Sequence, residues 1–285
     1  MSTATKKRKH RKAPGLEVVI LYAFLIVLAI LFILPVFYLF MGSFKEQSEL
    51  FRVPFKWLPD RFQLGNYIEM FQSIPFLLYL KNTLIIVVCN IVGSLLSCSL
   101  VAYGFSSLRW PGRDKVFILV LVTMILPYQV TLVPQFLMFT KIGWIGTFLP
   151  LTVPCFFGNP FFIFLLRQFF TGIPQEISEA ARIDGAGEFK IFSRLIMPMA
   201  KPALTTVAIF AFIRSWNDFL GPLVFLGKDS LYTLSLAASM LKSNLDPNWS
   251  ILLALGAVMI LPVLILFFVM QKYFIQGIAM SGIKG

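Results

Sequence analysis

Arg214, Asn217 and Asp218 fall three and four residues apart in an otherwise apolar stretch, which puts them on one face of a helix. An ionisable side chain at the centre of a bilayer costs roughly 3 kcal/mol on insertion scales, so such groups face a bundle interior or a wet cavity. Two kinds of chemistry fit this face. Arg214 and Asp218 can form an internal ion pair that holds helices together, the reading favoured for those two. Asn217 and the adjacent Trp216 can instead line a path for a sugar, since polar groups mixed with an aromatic face suit a carbohydrate. Tyr128, Gln129, Thr131 and Gln135 make a second polar set, and Asn82, Thr83 and Asn90 a third. Of these, Tyr128, Gln129 and Asn90 are candidates for the same path. Otherwise the groups form interhelical hydrogen bonds worth about 0.6–2 kcal/mol each. Gly93 and Ser97 are a small-xxx-small pair of the kind that packs helices.

Several chemistries are missing from the chain. His10 is the only histidine and sits in a basic tail, which removes a zinc site and imidazole catalysis. Cys89, Cys98 and Cys155 lie in apolar segments and read as small core residues, not as a disulfide framework. No G-x-x-x-x-G-K-S/T phosphate loop occurs, so ATP hydrolysis, if it powers the protein, belongs to another chain. Catalytic and metal-ligating residues are therefore expected to be absent. A membrane-bound enzyme that modifies glycans or lipids through Asp218 and Arg214 is one alternative, but interfacial carboxylates and histidines are sparse. A secondary transporter is another, and no inverted repeat is visible.

The elements that hold these residues are membrane spans. The chain is 58% hydrophobic and 13% charged, with 31 phenylalanines, whereas soluble domains carry about 25% charge. Its net charge of +12 does not point to nucleic acid, because six cations (Lys6, Lys7, Arg8, Lys9, Arg11 and Lys12) cluster before an apolar run and most others flank apolar segments. Apolar stretches near 16–40, 82–106, 116–139, 145–167, 203–226 and 250–271 are each long enough to cross a bilayer. The fourth is the most interrupted, by Pro150, Pro154 and Pro160. The first run is too long for a signal-peptide core and reads as a retained span. With the N-terminus inside, inner segments carry sixteen basic residues and outer ones eight, so the positive-inside rule places both termini in the cytoplasm. The expected order is a basic tail at 1–15, a first span at 16–40, an extracytoplasmic cap at 41–81 that includes Trp57 and Tyr67, a core at 82–272 and a tail at 273–285.

The inner connection at 173–202, IPQEISEAARIDGAGEFKIFSRLIMPMAKP, carries the most information. Pro174 suits a first helical turn. Ile177, Ala180, Ala181 and Asp184 then share a side at helical spacing. Gly185-Ala186-Gly187 breaks that helix, and a second one follows with Phe189, Phe192 and Leu195 or Ile196 on one face, ending at Pro198. The segment reads as a compact helix–turn–helix whose small alanines admit the close approach of another backbone. By periodicity alone it is an interfacial amphipathic helix.

Glu179-Ala180-Ala181, Gly185 and the closing Leu195-Ile196-Met197-Pro198, at these spacings, resemble the EAA motif of ABC importer permeases. Leu195 and Met197 stand where the family has isoleucine and leucine, swaps of similar volume. Trp216-Asn217-Asp218, the Pro127 and Pro134 pattern, and Gln276-Gly277 through Gly282-Ile283-Lys284-Gly285 are similar to the carbohydrate branch, in its six-span, maltose-permease-like form. The resemblance implies an all-α membrane protein with the type I importer (MetI-like) fold in a bacterial inner membrane. It implies a second permease subunit, two cytosolic ABC ATPase subunits that hold ATP and Mg, an extracytoplasmic solute-binding protein, and lipid as solvent. Glu179, Ala180, Ala181, Asp184, Gly185, Ala186, Gly187 and Pro198 would then form the joint gripped by the ATPase.

Overall fold

A computed structural model describes residues 15–243 and 247–282, with the side chains of 272–282 excepted. The basic tail cations, His10 and the terminal Ile283-Lys284-Gly285 lie outside the described residues. The described residues form helices and turns and no strand.

α1 (Leu16–Ser43) is apolar on every side, and its side chains from Leu16 to Leu34 are almost all open. Such a helix needs lipid or another chain around it. The following connection folds into a cap with two short helices, α2 (Gln47–Leu50) and α3 (Gly65–Ser73). Its root is Lys45, which is fully buried. The Lys45 ammonium donates to the Lys56 carbonyl and lies 5.9 Å and 5.0 Å from the ring centres of Tyr38 and Phe55. Asn66 Nδ2 donates to the carbonyls of Ser43 (2.9 Å) and Lys45 (2.8 Å), and Ser43 Oγ shares a 2.7 Å bond with the Tyr67 hydroxyl.

α4 (Phe76–Ser106) contains no proline and runs for 31 residues, which is about 46 Å at 1.5 Å per residue. It starts ahead of the hydropathic stretch at 82–106, because Phe76 and Tyr79 are buried against the cap and carry the helix past exposed Lys81. The next span is not straight. α5 (Arg113–Val122) passes through a 3₁₀ turn at Thr123–Ile125 and meets α6 (Tyr128–Lys141) at 97°. Pro127 is the cause: it lacks an N–H and holds Leu126 extended, at ψ 117°. So the third stretch, not the proline-rich fourth, bends most sharply. The fourth is α7 (Leu149–Thr152), a 3₁₀ turn at Val153–Phe157 and α8 (Pro160–Thr171); together Leu149–Thr171 remains long and apolar enough to cross. Asn159 restarts it, its Oδ1 accepting from the amides of Phe161 (3.1 Å) and Phe162 (3.3 Å).

Then come α9 (Gln175–Ile183), α10 (Glu188–Ile191), a π-helical turn at Phe192–Ile196 and α11 (Met197–Met199), which bends 79° into α12 (Lys201–Trp216). α12 alone rises about 24 Å, short of the roughly 30 Å hydrocarbon core. α13 (Leu220–Phe225) continues after a break at Asn217–Phe219, followed by α14 (Leu234–Lys242) and α15 (Trp249–Gly282). Among the described residues, four helical stretches are long and apolar enough to cross by themselves, and counting each bent pair as one span brings the number to six.

α4 is the spine. One buried cluster joins its Cys98, Ala102 and Tyr103 to Leu166, Ile191, Ile196 and Val207. The other, at the opposite end, joins Tyr79 and Val87 to Met70, Trp216, Leu234 and Leu255. Between them the helix touches the fourth span so closely that a Cβ on Gly93 would overlap Cys155 Sγ and lie 2.9 Å from Phe156. Ser97 Oγ donates to the Cys155 carbonyl at 2.9 Å, so Gly93 and Ser97 do pack helices. Gly93→Leu should therefore lower stability by about 1–3 kcal/mol through overpacking, read as an earlier thermal transition of the purified protein in detergent; Gly104→Leu, where a Cβ has open space, should cause a smaller shift.

Candidate functional site

α9 opens after Pro174, with Glu176 in its first turn and Arg182 in its last, each favourable to the helix dipole. Its inner side is held: Ser178 is buried, and Ile177 and Ala181 pack on the cluster around Tyr103 and Ile191. Its other side is open, with Glu179, Ala180 and Asp184 exposed and Ile183 87% exposed. The turn closes through Gly185 N to Arg182 O (3.0 Å) and Ala186 N to Ala181 O (2.9 Å), with Gly185 at φ 78°. A side chain at Gly185 is strained by that φ. A Cβ on Gly185 or Gly187 would meet nothing within 4 Å in this chain, so the space beside both is free for another molecule.

The second half of the elbow departs from its expected register. Phe192 and Ile196 are buried along with Ile191, whereas Phe189 is 74% exposed and joins Ile183 on the open side. Phe192 and Ile196, four residues apart, share the inner side with Ile191, and Phe189 falls off that face. Pro198 does not end the helix either. It lacks an N–H for the carbonyl four residues back, which suits the wide turn preceding it, and the helix continues to Met199 before bending at Ala200.

Three groups missed by reading motifs tie the elbow to the bundle. Arg182 Nε donates to Glu188 Oε1 at 2.7 Å, and the Tyr103 hydroxyl donates to Glu188 Oε2 at 2.6 Å. The Arg182 guanidinium, and then the Tyr103 hydroxyl, hold the Glu188 carboxyl below its ordinary range; Glu188 in turn raises Arg182. The contact is thus present at neutral pH and lost only as pH falls through the lowered carboxyl value. Sequence spacing has no signal for a tyrosine 85 residues away. A cleft of about 550 Å³ lies beside this cluster, with Glu179, Gln175 and Trp110 among its walls.

The polar groups of the spans divide into two sets. Trp216 is buried, stacked on Phe212 at 5.4 Å, and donates from Nε1 to the Met259 carbonyl at 3.1 Å. Asn90 Nδ2 donates to the carbonyls of Ile86 (2.9 Å) and Leu151 (2.8 Å). Both are engaged in packing. Asn217 and Gln129 are exposed and Tyr128 is half-buried, and Asn217 Nδ2 reaches only Ile213 O of its own helix, at 2.8 Å.

The expected Arg214–Asp218 ion pair is not formed: among the described residues no Arg214–Asp218 pair lies within 4.0 Å. α12 ends at Trp216, so the one-turn geometry between positions 214 and 218 is lost. Asp218 instead caps the next helix, its Oδ1 accepting from Gly221 N at 3.1 Å, while its carbonyl accepts from Ser235 Oγ at 2.5 Å. Tyr128 follows directly on the break in the third span, as Asn217 follows directly on the end of α12.

Residues 53–280 match the family of binding-protein-dependent transport system inner membrane components. The chain belongs to that family. It is 34% identical to the arabinooligosaccharides transport system permease protein AraQ of Bacillus subtilis (strain 168), over 96% of this chain and 99% of that one. It is 31% identical to the osmoprotective compounds uptake permease protein GgtD of Synechocystis sp., over 96% and 95%. Among solved structures, a bacterial ABC transporter involved in the import of the acidic polysaccharide alginate superposes with a TM-score of 0.80, at 25% identity, covering 95% of this chain and 100% of that one. Family and fold make this chain a membrane-embedded permease subunit of an ABC importer and not an enzyme, working with an ATPase and a binding protein.

For a permease the distinction between packing and open polar groups is testable. Asn90→Ala leaves the Leu151 carbonyl without its donor and should cost about 1–3 kcal/mol, seen as a lower melting temperature. Asn217→Ala should leave that temperature within a degree or two of the parent.

Proposed function

We propose that this permease forms half of a carbohydrate path across a bacterial inner membrane, with a second permease as the other half, and that 173–202 is the cytoplasmic elbow through which an ATPase pair moves it. The observation carrying this reading is the open side of the elbow. Ile183 and Phe189 project unsupported beside Gly185 and Gly187, which leave room for a partner's backbone. A soluble ATPase subunit of complementary shape would cover that apolar surface, while the opposite side of α9 is anchored in the permease. Glu179, Ala180, Ala181, Asp184, Gly185, Ala186 and Gly187 form the joint, and Pro198 with the π turn gives the following bend its shape.

ATP and Mg reside on the ATPase, where nucleotide binding closes the pair. The elbow follows as a unit, and the access of the path switches because the two states differ in their affinity for nucleotide and binding protein. Asn217, Tyr128 and Gln129, open or half-open at breaks in the fifth and third spans, are the residues of this chain best placed to meet solute. An oligosaccharide is the cargo best supported, by the arabinooligosaccharide permease and the alginate importer, whose names and folds frame the comparison. Both termini lie in the cytoplasm by the positive-inside rule, which puts the cap and the 227–249 connection outside, within reach of the binding protein.

Glu179→Lys and Gly187→Leu, the latter at a position where a side chain meets nothing in this chain, should each leave the permease folded but reduce transport at least tenfold relative to ATP hydrolysis, measured in vesicles with the complete transporter. Wild-type transport in both variants defeats the assignment. Outside, α14 is part of the bundle core through buried Leu234, Leu236 and Ala237, so point changes are a cleaner probe than deletion. Lys242→Glu with Met240→Asp, both on exposed positions, should weaken stimulation of hydrolysis by the binding protein several-fold without releasing the ATPase; unaltered stimulation removes this part of the reading.

A further inference from the structure

The elbow lies at one end of α4, beside Tyr103, and the 230–235 segment with the break at Asp218 at the other, beside Asn82 and Thr83, so a displacement at the elbow needs a stiff connection. Most routes are interrupted. The fifth span begins after a 79° bend and ends at Asn217, the third is bent by 97°, and the fourth contains the 3₁₀ turn Val153–Phe157. α1 and α15 each contain a proline, Pro35 and Pro262. α4 alone among the six has neither a proline nor a break.

Both ends of α4 are fastened by side-chain hydrogen bonds. At the elbow end, Tyr103 donates to Glu188 at 2.6 Å and its ring rests on Phe192 at 5.3 Å. A hydroxyl bonded to a carboxylate at this distance is charge-assisted and about twice as strong as a neutral bond. Through Glu188 the same carboxylate holds Arg182 of α9, bridging the glycine turn that would otherwise let the two halves of the elbow move independently. At the far end, Asn82 Nδ2 donates to the carbonyls of Ser230 and Tyr232, both at 3.0 Å, and Thr83 Oγ1 accepts from Leu234 N at 3.0 Å. One residue on, Ser235 Oγ donates to the Asp218 carbonyl in the break of the fifth span, at 2.5 Å.

We propose that α4 is the push-rod of this permease: Tyr103 and Glu188 pass the elbow's displacement into it, and Asn82 and Thr83 deliver that displacement to the 230–235 segment and, through Ser235, to the break at Asp218. Tyr103 and Glu188 are positioning residues in this scheme, touching neither nucleotide nor cargo. The inference rests on the reading of 173–202 as the joint driven by the ATPase.

The test uses the complete transporter in lipid vesicles, with Cys89, Cys98 and Cys155 replaced by alanine and spin labels at Lys242→Cys and Lys141→Cys. ATP with orthovanadate is the probe, and the readouts are the label-to-label distance and the nucleotide trapped per complex. The parent should change its distance on trapping. Tyr103→Phe, which keeps the ring and removes only the hydroxyl, should reduce the shifted population at least fivefold with trapping unchanged, and Glu188→Ala should do the same. The double variant should be no worse than either single one, because both break one connection. Glu188→Gln, which keeps an acceptor for Tyr103, should restore most of the shift. Thr83→Val, at the far end of the rod, should reproduce the loss, and it decides the matter should the elbow-end variants fail to assemble. A full shift in Tyr103→Phe, additive losses in the double variant, or no shift in the parent overturns the push-rod. Gly187→Leu separates the two readings: if it abolishes the shift while Tyr103→Phe does not, the rod alone fails; if it leaves the shift and trapping intact, the driven elbow fails as well.

Discussion

A backbone amide or carbonyl inside hydrocarbon has no water to bond, so every break in a spanning helix must be repaired by some other group. That constraint organises this molecule. The fourth span restarts where Asn159 caps two amides, and the fifth where Asp218 caps Gly221. The segment after α13 is held because Thr83 accepts from Leu234 N and Asn82 donates to two carbonyls. Polar residues in these spans are therefore largely accounted for by backbone repair, and the few that remain open, Asn217 and Gln129 above all, stand out by contrast.

The same constraint explains why breaks and rigidity are distributed as they are. The third span breaks ahead of Pro127 and the fifth at Asn217–Phe219, and the open side chains of Gln129 and Asn217 lie at these breaks. The second span stays whole and contributes to both buried clusters. Its close approach to the fourth span at Gly93 leaves little slack along its length. A bundle with one uninterrupted member and several jointed ones can deform in some directions and resist deformation in others.

Much of this is legible in the residues themselves. Long apolar runs locate the spans because lipid imposes a minimum length on them, and Pro174 with the Gly185-Ala186-Gly187 break marks the helix–turn–helix at 173–202, whose periodicity alone would fit any interfacial helix. Other features depend on tertiary context. Pro127 and Pro160 look alike in sequence, yet Pro160 starts a helix behind the Asn159 cap while Pro127 follows an extended Leu126 and turns the chain by 97°. Arg214 and Asp218 have the spacing of an ion pair, and the end of α12 between them undoes it. Asn90 and Trp216 offer the right chemistry for a sugar but point into packing contacts that no periodicity reveals. The Tyr103–Glu188 bond joins residues far apart in the chain, and only folding brings them within reach.

The cap on α1 combines two kinds of charge chemistry. Its rim depends on Arg52 and Lys56 pairing with an exposed Asp60, interactions that dissolved ions compete with directly. Its root depends on a buried lysine enclosed by two rings and a carbonyl, with no ion pair to an acid among the described residues. Raising the ionic strength would thus loosen the brim of this cap while leaving its stem seated, so that dissolved salt reaches its outer contour before it reaches its attachment.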